Sequence, residues 1–390
     1  MEKTGSTIKI CFVSTVHGTL NTFVLKTVEY LHENTDWDFS FICHEDSEWA
    51  ASLPEYIHYY PVTMNRGLSF SQKTEKQLYK LFKKEEFDLV QFCTPNASLY
   101  TAIAASKAHV PVRLYCQWGI AYAGFEGWKR RILKLVEKFV CSRATMIEPD
   151  SHSNLQFAIS EGLYQTEKGH VIWNGSACGV DLKKFDITRR EEYRQKIRSE
   201  LRISEEAFVF GFVGRINKDK GINELFGAFQ KMQDITGNLY LVVVGQDERE
   251  DHIDKDLNQW ANENPTIFFT GRSEKVEQYL SAMDCFVLPS YREGFGLSVA
   301  EAEAMGIPVI VTDIPGPTDA MAEGKTGITI PKKNTEALYG AMLKLYWDGN
   351  RRADYGSTGP VFIRDHFEQQ ELFRRILEDR KELLCSVTKH

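Results

Sequence analysis

Apolar residues along this chain gather in short continuous runs, separated by stretches in which they recur at helical spacing. In the first half, runs at 8–14, 38–43, 56–62, 87–92, 112–117 and 144–148 read as strands. Residues 20–32 and 98–109 read as helices between them. The second half repeats the alternation, with runs at 208–213, 239–244, 266–269, 285–288, 309–311 and 327–330. Strands that are apolar throughout are buried on both faces, the condition of a parallel sheet covered by helices. The pattern predicts an α/β fold of two doubly wound, Rossmann-like domains. A charged helical stretch at 189–201 marks the change of domain, giving a first domain over 1–186 and a second over 187–365.

Doubly wound sheets hold ligands beyond the carboxyl ends of their strands, so chemistry is sought in the loops after the apolar runs. The most informative loop is Tyr291-Arg292-Glu293-Gly294-Phe295-Gly296-Leu297-Ser298-Val299-Ala300-Glu301, which follows Cys285-Phe286-Val287-Leu288 and opens into a small-residue helix. A strand, a glycine turn and a helix N-terminus favour an anion, because unpaired amides and the helix dipole both point at it. Glu293 and Glu301 stand eight residues apart. At helical rise that is about 12 Å, the reach from ribose across a diphosphate to the sugar of a nucleotide-sugar. That arrangement suits one carboxylate to ribose hydroxyls and the other to the transferred sugar. Backbone amides of Gly294, Phe295, Gly296, Leu297 and Ser298 complete the phosphate and sugar contacts.

A second strand-loop-helix segment lies upstream, Phe208-Val209-Phe210-Gly211-Phe212-Val213-Gly214-Arg215-Ile216-Asn217-Lys218-Asp219-Lys220-Gly221. Gly214 lets a ligand approach the backbone closely. Arg215 and Lys220 place two cations on one loop, where they stabilise the charge that grows on a departing diphosphate.

Together these residues resemble glycosyltransferase family 4, the retaining family with GT-B architecture. The resemblance is carried by the E-x7-E segment, flanked by Pro289-Ser290 and Gly306-Ile307-Pro308-Val309-Ile310. It is carried also by G-R-x4-K-G at Gly214, Arg215, Lys220 and Gly221. It implies two Rossmann-like domains facing across a cleft that holds the active site, the donor mainly on the second and the acceptor mainly on the first. It also implies that the last helix, within 366–390, crosses back to the first domain. The implied reaction is retaining transfer from a UDP-sugar, a UDP-N-acetylhexosamine or UDP-hexose, to a glycan or polyprenyl-linked acceptor. The overall pattern is similar to the subgroup that builds bacterial capsule, exopolysaccharide and O-antigen. The resemblance gives Glu293, Arg215 and Lys220 the catalytic roles, with Glu293 on the donor-sugar hydroxyls and Glu301 on the ribose hydroxyls. Arg272, after Phe269-Thr270-Gly271, lies where family members contact the base. No protein nucleophile stands at a matching position, which favours a front-face mechanism.

In the first domain, Gly18 matches the family's donor-side glycine loop, and His17 beside it is a candidate for a hydroxyl or phosphate. Where many relatives carry a histidine before a glycine, this chain has Gln117-Trp118-Gly119. Trp118 is suited to stack on a sugar face and Gln117 to bond its hydroxyls. Arg66, Asn96 and Glu148 are further candidates for acceptor contacts. The segment Val171-Ile172-Trp173-Asn174-Gly175, with Gly179-Val180-Asp181 after an insertion, is similar to the family's link between domains.

Composition narrows the partners. A net charge of −7 argues against a nucleic-acid binder. Basic residues nonetheless gather in the first half, with Lys73, Lys76, Lys80, Lys83 and Lys84 along one helix. Residues 128–139 combine cations with an apolar stripe. Such a helix lies on an anionic membrane surface or packs as a core helix with a solvated face. Scattered cysteines, a polar start and no run approaching ~20 apolar residues give a cytoplasmic expectation, peripheral on the inner face of the plasma membrane. Asp254-Lys255-Asp256 falls in a polar stretch, 247–264, that reads as an exposed helix where alternate residues do not share a face. No metal and no other cofactor are therefore expected. Two rivals remain, a UDP-sugar epimerase of the same architecture and a non-catalytic nucleotide-sugar-binding partner subunit. A dinucleotide oxidoreductase is disfavoured, since no G-x-G-x-x-G follows the first strand of either half.

Overall fold

A computed structural model describes residues 7–64, 70–249 and 253–387, and it divides into two units, Met1–Cys178 with Gln370–His390 and Gly179–Gln369. In the first unit the order is β1 (Lys9–Val13), α1 (His17–Phe23), α2 (Leu25–Asn34), β2 (Asp38–Cys43), α3 (Ser47–Ser52), β3 (Ile57–Pro61), α4 (Gln72–Glu85) and β4 (Leu89–Phe92). It continues with α5 (Pro95–Ala108), β5 (Val112–Gln117), α6 (Gly127–Arg143), β6 (Met146–Pro149) and α7 (His152–Ser160). The six strands pair in parallel in the order β3-β2-β1-β4-β5-β6. Strands β1, β2, β4 and β5 are buried on both sides, alternate residues serving opposite cores, whereas edge strand β3 is buried only at Ile57. Cys11, Val13, Val90 and Phe92 pack with Leu78 and Phe82 of α4, the alanines of α5 and Val140 of α6. Ile10, Phe12, Phe39 and Phe41 pack with Leu20 of α1, Val28 and Leu31 of α2 and, from the chain's last helix, Leu377 and Leu384.

The second unit runs α8 (Arg190–Glu200), β7 (Phe208–Val213), α9 (Ile222–Gln233), β8 (Leu239–Val244), α10 (Lys255–Glu263), β9 (Ile267–Gly271), α11 (Val276–Ser281) and β10 (Cys285–Leu288). Then follow α12 (Leu297–Ala304), β11 (Val309–Thr312), β12 (Gly327–Ile330), α13 (Thr335–Trp347) and α14 (Gly349–Phe367). Its sheet order is β12-β11-β10-β7-β8-β9, again all parallel. Counted from each unit's first strand, both sheets have the order 3-2-1-4-5-6 of dinucleotide-binding folds, with a switch point between the first and fourth strands.

α15 (Gln369–Val387) brings residues from 370 onward back to the first unit. A buried polar cluster ties it there. The Arg380 guanidinium meets the Glu148 carboxylate at 2.7 Å and donates to the Gln91 side-chain amide oxygen at 3.1 Å. His170 pairs with Asp379 at 2.5 Å. Burial alone would lower the Arg380 pKa, but the Glu148 and Asp379 carboxylates overcome it and hold the guanidinium charged. Glu148, expected as an acceptor contact, is therefore the buried counter-ion of α15, since a desolvated carboxylate requires its partner.

Three local expectations change. The helix expected over 20–32 is two helices, broken at Val24, whose φ of −121° leaves the helical region. It also starts earlier, so His17 and Gly18 lie in the first turn of α1 rather than in an open loop. In the polar stretch expected as a helix over 247–264, the helix among the described residues is α10, Lys255–Glu263. There Asp254 caps the helix, its carboxylate accepting from the amides of Asp256 at 3.1 Å and Leu257 at 3.0 Å.

Candidate functional site

The two motif loops leave neighbouring strands. β7 and β10 pair directly, Cys285 opposite Phe210 and Phe286 opposite Gly211, so loops 214–221 and 289–296 emerge side by side at the second unit's switch point. Glycines allow the close approach. Gly221 has φ 69°, and a Cβ there would collide with the Pro289 carbonyl oxygen. Backbone and side chains then lace the loops together. The Tyr291 amide donates to the Asp219 carbonyl at 2.8 Å. Arg292 meets the Asp219 carboxylate at 2.8 Å. The Tyr291 hydroxyl donates to Glu224 at 2.6 Å, and burial followed by this bond raises its pKa.

Inside this lacing the Lys220 ammonium meets the Glu293 carboxylate at 2.5 Å, with 18% and 12% of the two side chains exposed. Arg215 is the more open cation, pairing at 3.1 Å with Glu248 from the loop after β8, and Asn217 donates to the same carboxylate. Gly296, at φ 87°, caps α12, whose eight residues start at Leu297. The first-turn amides of α12 at Leu297 and Ser298 thus open toward the same end of the sheet. Phe295 contributes only its backbone there, because its ring is buried against Phe367 with centroids 4.9 Å apart. Glu293 lies ahead of α12, so helical rise does not measure its distance from Glu301.

Glu301 sits in the second turn of α12. Burial raises its carboxyl to about 7, with the Lys184 ammonium pulling it down and the Glu277 carboxylate pushing it up. Lys184 and Glu277 are themselves 3.9 Å apart. Arg272 is exposed just beyond β9 and is not drawn into the laced pair.

At the first unit's switch point, the loops after β1 and β4 meet through Thr15 and Thr94, whose hydroxyls are 2.8 Å apart. His17 follows the first of these loops, facing Asp46 at 3.3 Å with its ring against Trp49, and Gly18 has open space around it. Asn96, in the first turn of α5, follows the second. Gln117 is not available to a sugar. It is fully buried, donating to Glu137 at 2.5 Å and accepting from the Tyr164 hydroxyl at 3.0 Å. Trp118 is half-buried against Phe23, with centroids 5.7 Å apart. Arg66 lies outside the described residues.

Sequence reasoning missed several supports. Asp219, Glu224 and Arg292 carry no motif of their own. The loop after β11 buttresses the acidic one: Gly316, at φ 103°, fits only because it lacks the Cβ that would strike the Gly294 carbonyl, and Pro317 packs on Gly296. Ile314-Pro315-Gly316-Pro317 follows an apolar run, and that turn signal was the available clue. Among the described residues, no group of three or more His, Cys, Asp or Glu is arranged to hold a metal.

Comparison with known proteins fits this architecture. Residues 193–361 match the family described as Glycosyl transferases group 1, and residues 9–151 match Glycosyl transferase 4-like. Among solved structures, HepE from Anabaena, in complex with UDP and glucose, superposes with a TM-score of 0.79 at 19% identity, covering 96% of this chain and all of that one. Sucrose-phosphate synthase from Thermosynechococcus elongatus gives 0.77 at 18% identity, covering 97% and 100%. The fold class is thus GT-B, two Rossmann-like units. The capsular polysaccharide biosynthesis glycosyltransferase CapM of Staphylococcus aureus is 30% identical over 351 residues, 90% of each chain. A UDP-Gal:alpha-D-GlcNAc-diphosphoundecaprenol alpha-1,3-galactosyltransferase of Escherichia coli is 28% identical, covering 88% of this chain and 89% of that one. The chain belongs to the group 1 glycosyltransferases, with a 4-like first unit, and is a glycosyltransferase.

Proposed function

We propose that this enzyme transfers a hexose or N-acetylhexosamine from a UDP-sugar to a glycan or polyprenyl-linked acceptor in surface polysaccharide assembly, with retention at the anomeric carbon. The observation that carries the reading is the Lys220–Glu293 pair at the switch point of the second unit, with Arg215 on the same loop. The Escherichia coli relative, named for UDP-Gal and a GlcNAc-diphosphoundecaprenol acceptor, supports the choice of substrates. Lys220 and Arg215 lie against the diphosphate, the α12 amides complete its cradle, and Glu293 holds the sugar hydroxyls. The bond from the anomeric carbon to the phosphate oxygen breaks with its electron pair leaving on UDP. The acceptor oxygen bonds the same face of that carbon and passes its proton to the departing phosphate. The cations stabilise the growing charge, so no bound metal is required. Transfer from UDP-sugars to a polyprenyl-linked glycan, followed with and without EDTA, tests this. Turnover should survive the chelator and fall at least about tenfold in Lys220→Ala, more than one kcal/mol of transition-state stabilisation. Equal turnover in that variant would remove the loop from the mechanism.

We also propose peripheral contact of the first unit with an anionic membrane surface. On α6, Trp128, Ile132, Leu135 and Phe139 form one exposed apolar stripe, with Trp128 65% and Leu135 68% exposed. Lys129 and Arg143 flank it on one side, Arg131 and Lys138 on the other, all exposed. A helix of this kind lies at the headgroup boundary. Among the described residues, no helix is long and apolar enough to cross a membrane.

A further inference from the structure

We infer that Lys220 is a shared counter-ion, paired with Glu293 and surrendered to the diphosphate when the donor arrives. This rests on the donor site proposed above. The two side chains lie on loops fixed by Asp219–Arg292, by the Tyr291 amide on the Asp219 carbonyl and by Tyr291 on Glu224. Gly221 is wedged under Pro289. The 2.5 Å contact is therefore a property of a preformed site rather than of two free surface chains. Both partners are largely shielded from water, so their attraction is stronger than that of an exposed pair.

A diphosphate bound beside Lys220 brings more negative charge than one carboxylate and draws the ammonium away. Glu293 is an acceptor-only group. While Lys220 holds it, part of its acceptor capacity is used. Once released, that capacity is open to the hydroxyls of the donor sugar. Diphosphate capture thus prepares the sugar seat, and the cost of parting the pair is charged to nucleotide binding. Neutralising Glu293 should therefore tighten nucleotide binding even as it abolishes transfer, the reverse of what loss of an ordinary structural contact would do.

The test is isothermal titration of the full chain with UDP, with GDP and ADP in parallel. The proteins are the parent, Glu293→Gln, Lys220→Met (which keeps the methylene stem) and the double variant, with thermal melts to check folding. Glu293→Gln should bind UDP about fivefold tighter or better, and Lys220→Met about tenfold weaker, each near one kcal/mol. In the Lys220→Met background, Glu293→Gln should change affinity less than about twofold, because no pair remains to be broken. Weaker or unchanged binding in Glu293→Gln overturns the proposal. So does an equal gain in both backgrounds, which would mean that the carboxylate acts by direct repulsion. If the parent binds UDP and transfers sugar while these affinities fail, only the counter-ion exchange falls. If the parent binds none of the three nucleotides, the donor reading falls with it.

Discussion

Glu301 shows at residue scale how burial sets the working pH of a site. Its carboxyl is pushed up to about 7, by burial first, and only its ionised form accepts strongly from ribose hydroxyls. Donor KM should accordingly rise about tenfold between pH 8 and pH 6, following the ionised fraction, and Glu301→Gln should flatten that profile. A pH-independent KM in the parent would separate Glu301 from the donor. The stability sign is fixed by the same shift. Glu301 contributes stability that is fully present below its unfolded value near 4.5 and is lost as pH rises through about 7, so the working range is the less stable one. At this scale the sequence was partly legible. Lys220 and Glu293 fall in spaced motifs, whereas Gln117 looked like a polar residue at a strand end. Its partners, Glu137 and Tyr164, stand 20 and 47 positions away, and nothing local announces a buried hydrogen-bond network.

At the scale of elements, the donor site is a product of glycines at strand ends. Gly221 holds a left-handed conformation with no room for a side chain beneath the Pro289 carbonyl. Gly221→Ala should destabilise the second unit by about 2 kcal/mol or more, from backbone strain plus the displaced loop. Chemical denaturation would measure it, and a loss below a few tenths of a kcal/mol would mean the loops are not wedged as described. The strands themselves were legible because parallel strands buried on both faces leave unbroken apolar runs, as at Phe208–Val213 and Cys285–Leu288. The start of α1 was not. His17 and Gly18 are poor helix formers locally, and the helix is set by Leu20 packing into the core. The buttress at Gly316 escaped notice for the same reason, since its role depends on a loop distant in sequence.

For the whole molecule, one sheet order serves two units, and the chemistry that motifs announce lies at the switch point of the second. The first unit presents a different surface. α4 carries Lys73, Lys76, Lys80, Lys83 and Lys84 exposed along one side, and α6 carries the apolar stripe. Both helices pack in the same core layer, beside α5. Sedimentation with vesicles containing phosphatidylglycerol at about 0.1 M salt should bring the protein down. Trp128→Ser combined with Leu135→Ser should leave it in the supernatant with its melting temperature unchanged. Equal sedimentation of parent and variant would show that α6 is not the contact. Charge and stripe were visible in the sequence. Whether the stripe faced the core or solvent was not, because an amphipathic helix reads alike in both settings.

The central claim is that the loops after β7 and β10 clamp a nucleoside diphosphate. A crystal structure with UDP tests it most directly. The pyrophosphate should lie within hydrogen-bonding reach of the Lys220 ammonium and the first-turn amides of α12, with the ribose on Glu301. A nucleotide bound away from both loops would contradict the account.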